Sequence, residues 1–68
     1  MSLIRKSEGL YMVSYISGNP RIRHHFFSLG IIEGKNIELI NKGHTFTIRV
    51  GSAIFAISRR FARHIHVV

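Results

Sequence analysis

Apolar residues recur along the chain with two different periods, and the change of period marks the elements. Leu10 to Ile16 is rich in β-branched and aromatic residues and predicts a first strand. Ser17-Gly18-Asn19-Pro20 is a run of turn residues. Asn19 suits a helix N-cap, because its side-chain oxygen can accept from an unpaired backbone N–H. Pro20 suits the first helical position, where its missing N–H loses no bond. Ile22, Phe26 and Leu29 then fall at i, i+4 and i+7, one face of a 3.6-residue period. Gly30 stands where a left-handed residue would stop the helix. The pattern predicts an amphipathic helix over 20–29. Arg21, His24 and Ser28 point away from its apolar face, and His25 and Phe27 lie at its flanks. Phe27 is read as a second core residue in preference to an exposed anchor, because exposed large aromatics usually require a reason.

After the tight connection Ile31-Ile32-Glu33-Gly34 the period drops to two. Ile37 and Leu39 face one way, Glu38 and Ile40 the other, predicting a strand over 35–42. Gly43 and His44 form a turn. Thr45 to Val50 alternates with Phe46, Ile48 and Val50 inward. Gly51-Ser52 is short enough for a hairpin into a further apolar strand, Ala53 to Ile57. Ser58 can cap a single helical turn over 59–63, and His64 to Val68 reads as a last short strand. Residues 1–9 read as a lead-in segment. About five short strands with one helix leave exposed sheet edges unless the sheet closes. The expected fold class is therefore mainly β: a small SH3-like barrel, one domain over 1–68, with Ile22, Phe26 and Leu29 packed against Phe46, Ile48 and Val50.

Composition narrows what such a domain can do. Cysteine is absent, which excludes a disulfide framework and thiolate-ligated zinc or iron–sulfur sites. No apolar stretch approaches the ~20 residues of a membrane span, and the N-terminal apolar residues are interrupted by Arg5, Lys6 and Glu8. A soluble cytoplasmic protein is expected. The acidic inventory is three scattered glutamates, Glu8, Glu33 and Glu38, so a carboxylate pair in one cleft is not expected; without aspartate there is no Ser-His-Asp set, and although Glu could replace Asp, so small a chain has little volume for a water-excluding pocket, so no enzyme activity is expected. The six glycines form no phosphate-cradling cluster, so no nucleotide site is expected. Net charge is +7, which points to an acidic partner, to nucleic acid, or to a merely solvated basic surface.

Five histidines raise a metal question. His64 and His66, at i and i+2 of a predicted strand, share a face, and His44 or Glu38 would have to complete a site. The metal candidates are therefore His64, His66 and His44, for a weakly held Fe²⁺ or similar ion, with no cofactor required. The basic helix face (Arg21, Arg23, His24), the flanking Phe27, the 41–44 loop with Lys42 and His44, and the C-terminal turn with Arg59 and Arg60 are the candidate partner contacts.

Pro20, Arg23, Phe26-Phe27-Ser28-Leu29-Gly30-Ile31-Ile32 and Gly34 resemble the signature of the FeoA family, ferrous iron transport protein A. The strand at Ile37 to Ile40, the run Phe55-Ala56-Ile57-Ser58-Arg59 with Ala62, and Ile65 and Val67 extend the likeness from about Gly9 to Val68. Glu33 replaces the usual proline, His24 and His25 replace common arginine or lysine, Ser58 replaces a frequent arginine, and Asn41-Lys42-Gly43-His44 is a shortened loop. The resemblance implies an SH3-like fold, a bacterial or archaeal cytoplasm, and an accessory or regulatory role in iron homeostasis. The implied partner is the cytoplasmic GTPase part of a FeoB-type transporter, with membrane contact only through that partner. It also implies kinship with the C-terminal domain of metal-responsive repressors of the diphtheria-toxin-repressor type. A basic nucleic-acid-binding barrel is the alternative, and pairing of two copies through an apolar edge strand is a further possibility.

Overall fold

The computed structural model describes residues 1–68. Five strands, β1 (Gly9–Ile16), β2 (Asn36–Lys42), β3 (Thr45–Val50), β4 (Ala53–Ser58) and β5 (Ile65–Val67), form one antiparallel sheet in the order β4-β3-β2-β1-β5. Helix α1 (Pro20–Ser28) follows β1, and the four-residue α2 (Arg59–Ala62) joins β4 to β5. The core is thirteen buried residues, all of them hydrophobic. With no polar group inside it, the core holds the scaffold together, and any chemistry must be on the surface.

The ends of α1 follow from local chemistry. Asn19 Oδ1 accepts from the Ile22 N–H at 2.9 Å, and Pro20 takes the first turn. At the other end Gly30 adopts φ 83°, its N–H bonds to the Phe27 carbonyl, and the Ile31 N–H bonds to the Phe26 carbonyl. This crossed pair is a Schellman stop, which needs a left-handed residue at Gly30. Phe26 and Ile31 are both buried beneath it. The helix thus ends at Ser28 with Leu29 as its cap. Phe26 is the one α1 side chain fully inside; Ile22 and Leu29 pack on the core half-buried, a shallower seat than the helical pattern suggests.

The predicted inward rows hold: Ile37 and Leu39 on β2, and Phe46, Ile48 and Val50 on β3, are all buried. Two bulges break simple alternation. On β1 the pairing with β5 slips between Val13 and Tyr15, leaving Ser14 as the extra residue and turning Tyr15 outward. On β2 the pairing with β3 slips between Leu39 and Asn41, so Lys42 is paired with Phe46. A bulge inverts the face of every residue beyond it.

The sheet is SH3-like but does not close. The expected barrel closure fails for a specific reason: residues of the lead-in occupy the edge it needs. The Val67 N–H bonds to the Met1 carbonyl at 2.9 Å, Met1 N donates to the Val67 carbonyl, and Ser2 bridges His66. The chain then turns through a 3-10 segment, Leu3–Arg5, capped by Ser2, and Leu3 is fully buried. The 1–9 segment is therefore part of the core and of the sheet edge, where the sequence pattern suggested only a lead-in. The outer edge of β4, a strand without a charged residue, stays open.

Candidate functional site

The exterior divides into three regions, and the sequence-predicted contact residues are shared unevenly among them. The first lies on one flank of α1. Arg23, His24 and Phe27 border an open hollow of about 410 Å³ whose other walls are Ile16, Ile31, Ile32 and Glu33. Phe27 is 64% exposed, against 0% for its neighbour Phe26. This overturns the reading of Phe27 as core. One helical step is about 100°, so two adjacent phenylalanines cannot both enter a core from a helix that touches it along one stripe. The loop after the Schellman stop supplies the floor, since Ile31 is buried and Ile32 is 39% exposed beside it. Arg23 and His24 rim the hollow, and Glu33 is the one acidic group there.

The second region is the opposite flank of α1 and the α2 turn. Arg21 faces His25 and Phe61 here, apart from Arg23 and His24. Phe61 meets Phe26 edge-on, with centroids 6.4 Å apart and planes at 83°, and also packs beside His25. Arg59 lies with its guanidinium 5.7 Å over the Phe46 ring. Arg60 is exposed on the same turn, and His44 is exposed in the β2–β3 turn. Lys42 is not a free contact. The Leu39/Asn41 bulge carries it inward, where Nζ donates to the Ile4 carbonyl at 3.0 Å and sits 5.7 Å over Phe46. It ties the N-terminal turn to the sheet. Phe26, Phe46 and Phe61 of this region are engaged with one another, with His25 or with cations.

The third region is the outer face where β1 meets β5. The expected metal set is only partly assembled. No group of three His, Cys, Asp or Glu side chains comes together, so His44 does not join His64 and His66. What does converge is Ser17, whose hydroxyl lies 3.2 Å from His64 Nδ1 and 3.2 Å from His66 Nε2. Sequence reading missed Ser17 as a partner because its contacts are with residues 47 and 49 positions away; the Ser14 bulge separately puts Tyr15 on the His66 side. Tyr15 stacks on the His66 ring, with centroids 4.2 Å apart and planes within 3°. Burial under this stack lowers the His66 pKa below its ordinary 6.5, and the Met1 ammonium and His64 add to the effect.

Comparisons with known proteins bear on the family and the fold. The FeoA domain family matches residues 4–68. No curated protein sequence matches the chain. Among solved structures, an iron uptake regulatory protein (FeoA) superimposes with a TM-score of 0.91 at 26% identity, over 100% of this chain and 93% of that one. A FeoA protein from Chlorobium tepidum gives 0.85 at 20% identity, over 98% of this chain and 68% of that one. ScaR, solved with bound Cd²⁺, gives 0.93 at 19% identity, but this chain spans only 34% of its length. Those last two likenesses are of fold. No helix is long and apolar enough to cross a membrane. Because the family match runs from the 3-10 turn that seals the core to the strand it seals against, the chain belongs to the FeoA-domain family of small proteins related to ferrous iron transport.

Proposed function

We propose that the protein is a cytoplasmic docking partner of a ferrous iron transporter, binding the cytoplasmic GTPase part of a FeoB-type protein through the Phe27 flank of α1. One observation carries the reading: a large aromatic side chain, 64% exposed, stands at an apolar hollow rimmed by Arg23 and His24. An aromatic anchor beside a hollow, with charge at the rim, is the arrangement that concentrates binding energy in protein interfaces. The net charge of +7 selects an acidic partner surface and speeds encounter with it. The protein makes or breaks no bond in this role; a rigid, apolar-cored sheet holds α1 at a fixed angle for recognition.

The test is direct binding of the isolated GTPase part of the transporter at low and at moderate salt. Phe27→Ala is expected to weaken binding by about tenfold or more, since anchor truncations typically cost ~2 kcal/mol. Arg23→Glu is expected to weaken it too, mainly at low salt, where surface charge is least screened. Arg60→Glu, on α2, is expected to have a smaller effect. Absence of binding at low salt, or equal binding by the Phe27 variant, refutes the proposal.

A further inference from the structure

β4 and β5 are the terminal strands of the sheet, and their outer edges are treated differently. The β5 edge is covered: the Val67 N–H bonds to the Met1 carbonyl, Met1 N donates to the Val67 carbonyl, and Ser2 bridges His66. The β4 edge is bare, and it has none of the devices by which edge strands avoid pairing with one another. Its residues, Ala53–Ser58, include no charge and no proline. They pair with β3 from Val50–Ala53 to Thr45–Ser58 without a bulge.

The hairpin fixes which backbone groups are free. Val50 and Ala53 flank the two-residue turn Gly51-Ser52 and close the ladder as a bonded pair. Bonded and non-bonded pairs alternate along an antiparallel ladder, so Ala53, Phe55 and Ile57 direct their N–H and C=O groups at β3. Ile54 and Ala56 aim theirs outward, and both side chains are exposed. Ser58, next in that row, turns into the α2 cap, where its Oγ accepts from the Phe61 N–H at 3.3 Å. On the inner side the half-buried Phe55 borders a hollow of about 400 Å³ shared with His25, Leu29 and Phe61.

From this arrangement we infer that β4 pairs antiparallel with β4 of a second copy, about a two-fold axis at Phe55. Ile54 exchanges backbone bonds with the partner's Ala56, and Ala56 with the partner's Ile54. The two Phe55 rings meet across the axis and close the mouths of both hollows. Charge selects this place. Two copies at +7 repel, so they meet where neither presents a free cation. β4 has none, and Arg49, across from Ile54 on β3, is paired with Glu38 at 3.3 Å. An axis at Phe55 also sets Arg59 of each copy beside the partner's Gly51, away from the partner's arginines. A head-to-tail sheet, β4 on the partner's β5, is barred by Met1 and Ser2, so pairing stops at a closed dimer and builds no fibre. A stable interface takes ~800 Å² from each partner, roughly a fifth of this chain's 4391 Å² surface. One strand edge and one hollow cover less, so the dimer is weak, with a Kd on the order of 0.1 mM. No residue of β4 borders the Phe27 hollow, and the inference is independent of the docking proposal.

Sedimentation velocity of the full chain from about 10 µM to about 1 mM, with amide exchange resolved by residue over the same range, decides the matter. The expected result is a monomer–dimer equilibrium that added salt strengthens, because salt screens the repulsion between like-charged copies. Exchange at Ile54 and Ala56 is expected to slow about fivefold across that range, as the free monomer falls to about one part in five. Ala56→Pro removes an outward N–H and no bond to β3, and is expected to weaken the dimer about tenfold or more. Ile54→Lys, which brings an ammonium from each copy to the new ladder, is expected to do the same. Phe27→Ala is expected to leave dimerisation unchanged. The inference is overturned by any of three outcomes: a monomer at every concentration, a dimer undiminished by both β4 variants, or protection of Ile54 and Ala56 that arises only with the transporter's GTPase part, which would make β4 an edge for another protein's strand. Because the protection is read in the parent protein, a variant that fails to fold leaves the test intact.

Discussion

Phe26→Ala is expected to remove most of the folding free energy, while Phe27→Ala, one residue away, leaves stability within about 0.5 kcal/mol. Phe26 is fully buried at the point where α1 meets the core, beside Phe61 and under the Schellman stop that buries Ile31. Truncating a buried phenylalanine costs about 3–5 kcal/mol, from lost transfer energy and from the cavity left behind. A chain of this length has roughly 3–10 kcal/mol in total. The variant should therefore melt at least about 12 °C below the parent, or show no cooperative transition. Phe27 gives up little on truncation because most of its surface is already in water, and alanine slightly favours the helix. Thermal melts followed by circular dichroism separate the two. If both variants melt alike, the assignment of one ring to the core and the other to the exterior is wrong, and the Phe27 docking surface goes with it.

That pair also marks where sequence reasoning succeeds and where it stops. The ends of α1 are legible because capping is local: Asn19, Pro20 and Gly30 each act within a few residues, and all three do what their chemistry requires. The inward rows of β2 and β3 are legible because alternation is local too. Bulges are different. Nothing in the composition around Ser14 or Ile40 announces an extra residue, since the slip is set by what the partner strand must match. Each slip inverts the residues beyond it, and each changes a functional reading. Lys42 leaves the surface to brace Phe46, and Tyr15 turns to stack on His66. The convergence of Ser17 with two histidines 47 and 49 residues away is a tertiary event with no local signature.

The scaffold and the exterior are coupled through the N-terminal segment more closely than its composition suggests. It completes β5, and β5 carries His66. It also receives the Lys42 ammonium on the Ile4 carbonyl, and Ser2 Oγ donates to the Arg63 carbonyl at 2.9 Å. Those bonds hold the segment along β5, on the edge that a closed barrel would have used for a β4–β5 ladder. A segment of a few residues thus takes the place on β5 that a closing strand would have held, while the outer edge of β4 stays open.

Leu3→Ala tests that substitution. Leu3 is fully buried and packs into the same cluster as Val13, Ile65 and Val67. Removing a buried leucine side chain costs about 2–5 kcal/mol, the upper end applying where the surroundings cannot relax into the gap. Here the neighbours are paired strands, which relax little. The loss should release Met1 and Ser2 from β5, so amide protection at Val67, whose N–H bonds to the Met1 carbonyl, is expected to fall further than protection in β3. Hydrogen exchange resolved by residue measures both. A lead-in that merely rests on the surface would give no change in melting temperature and no loss at Val67. That result would return the segment to the role its sequence suggested, and would leave the open side of the sheet without an explanation.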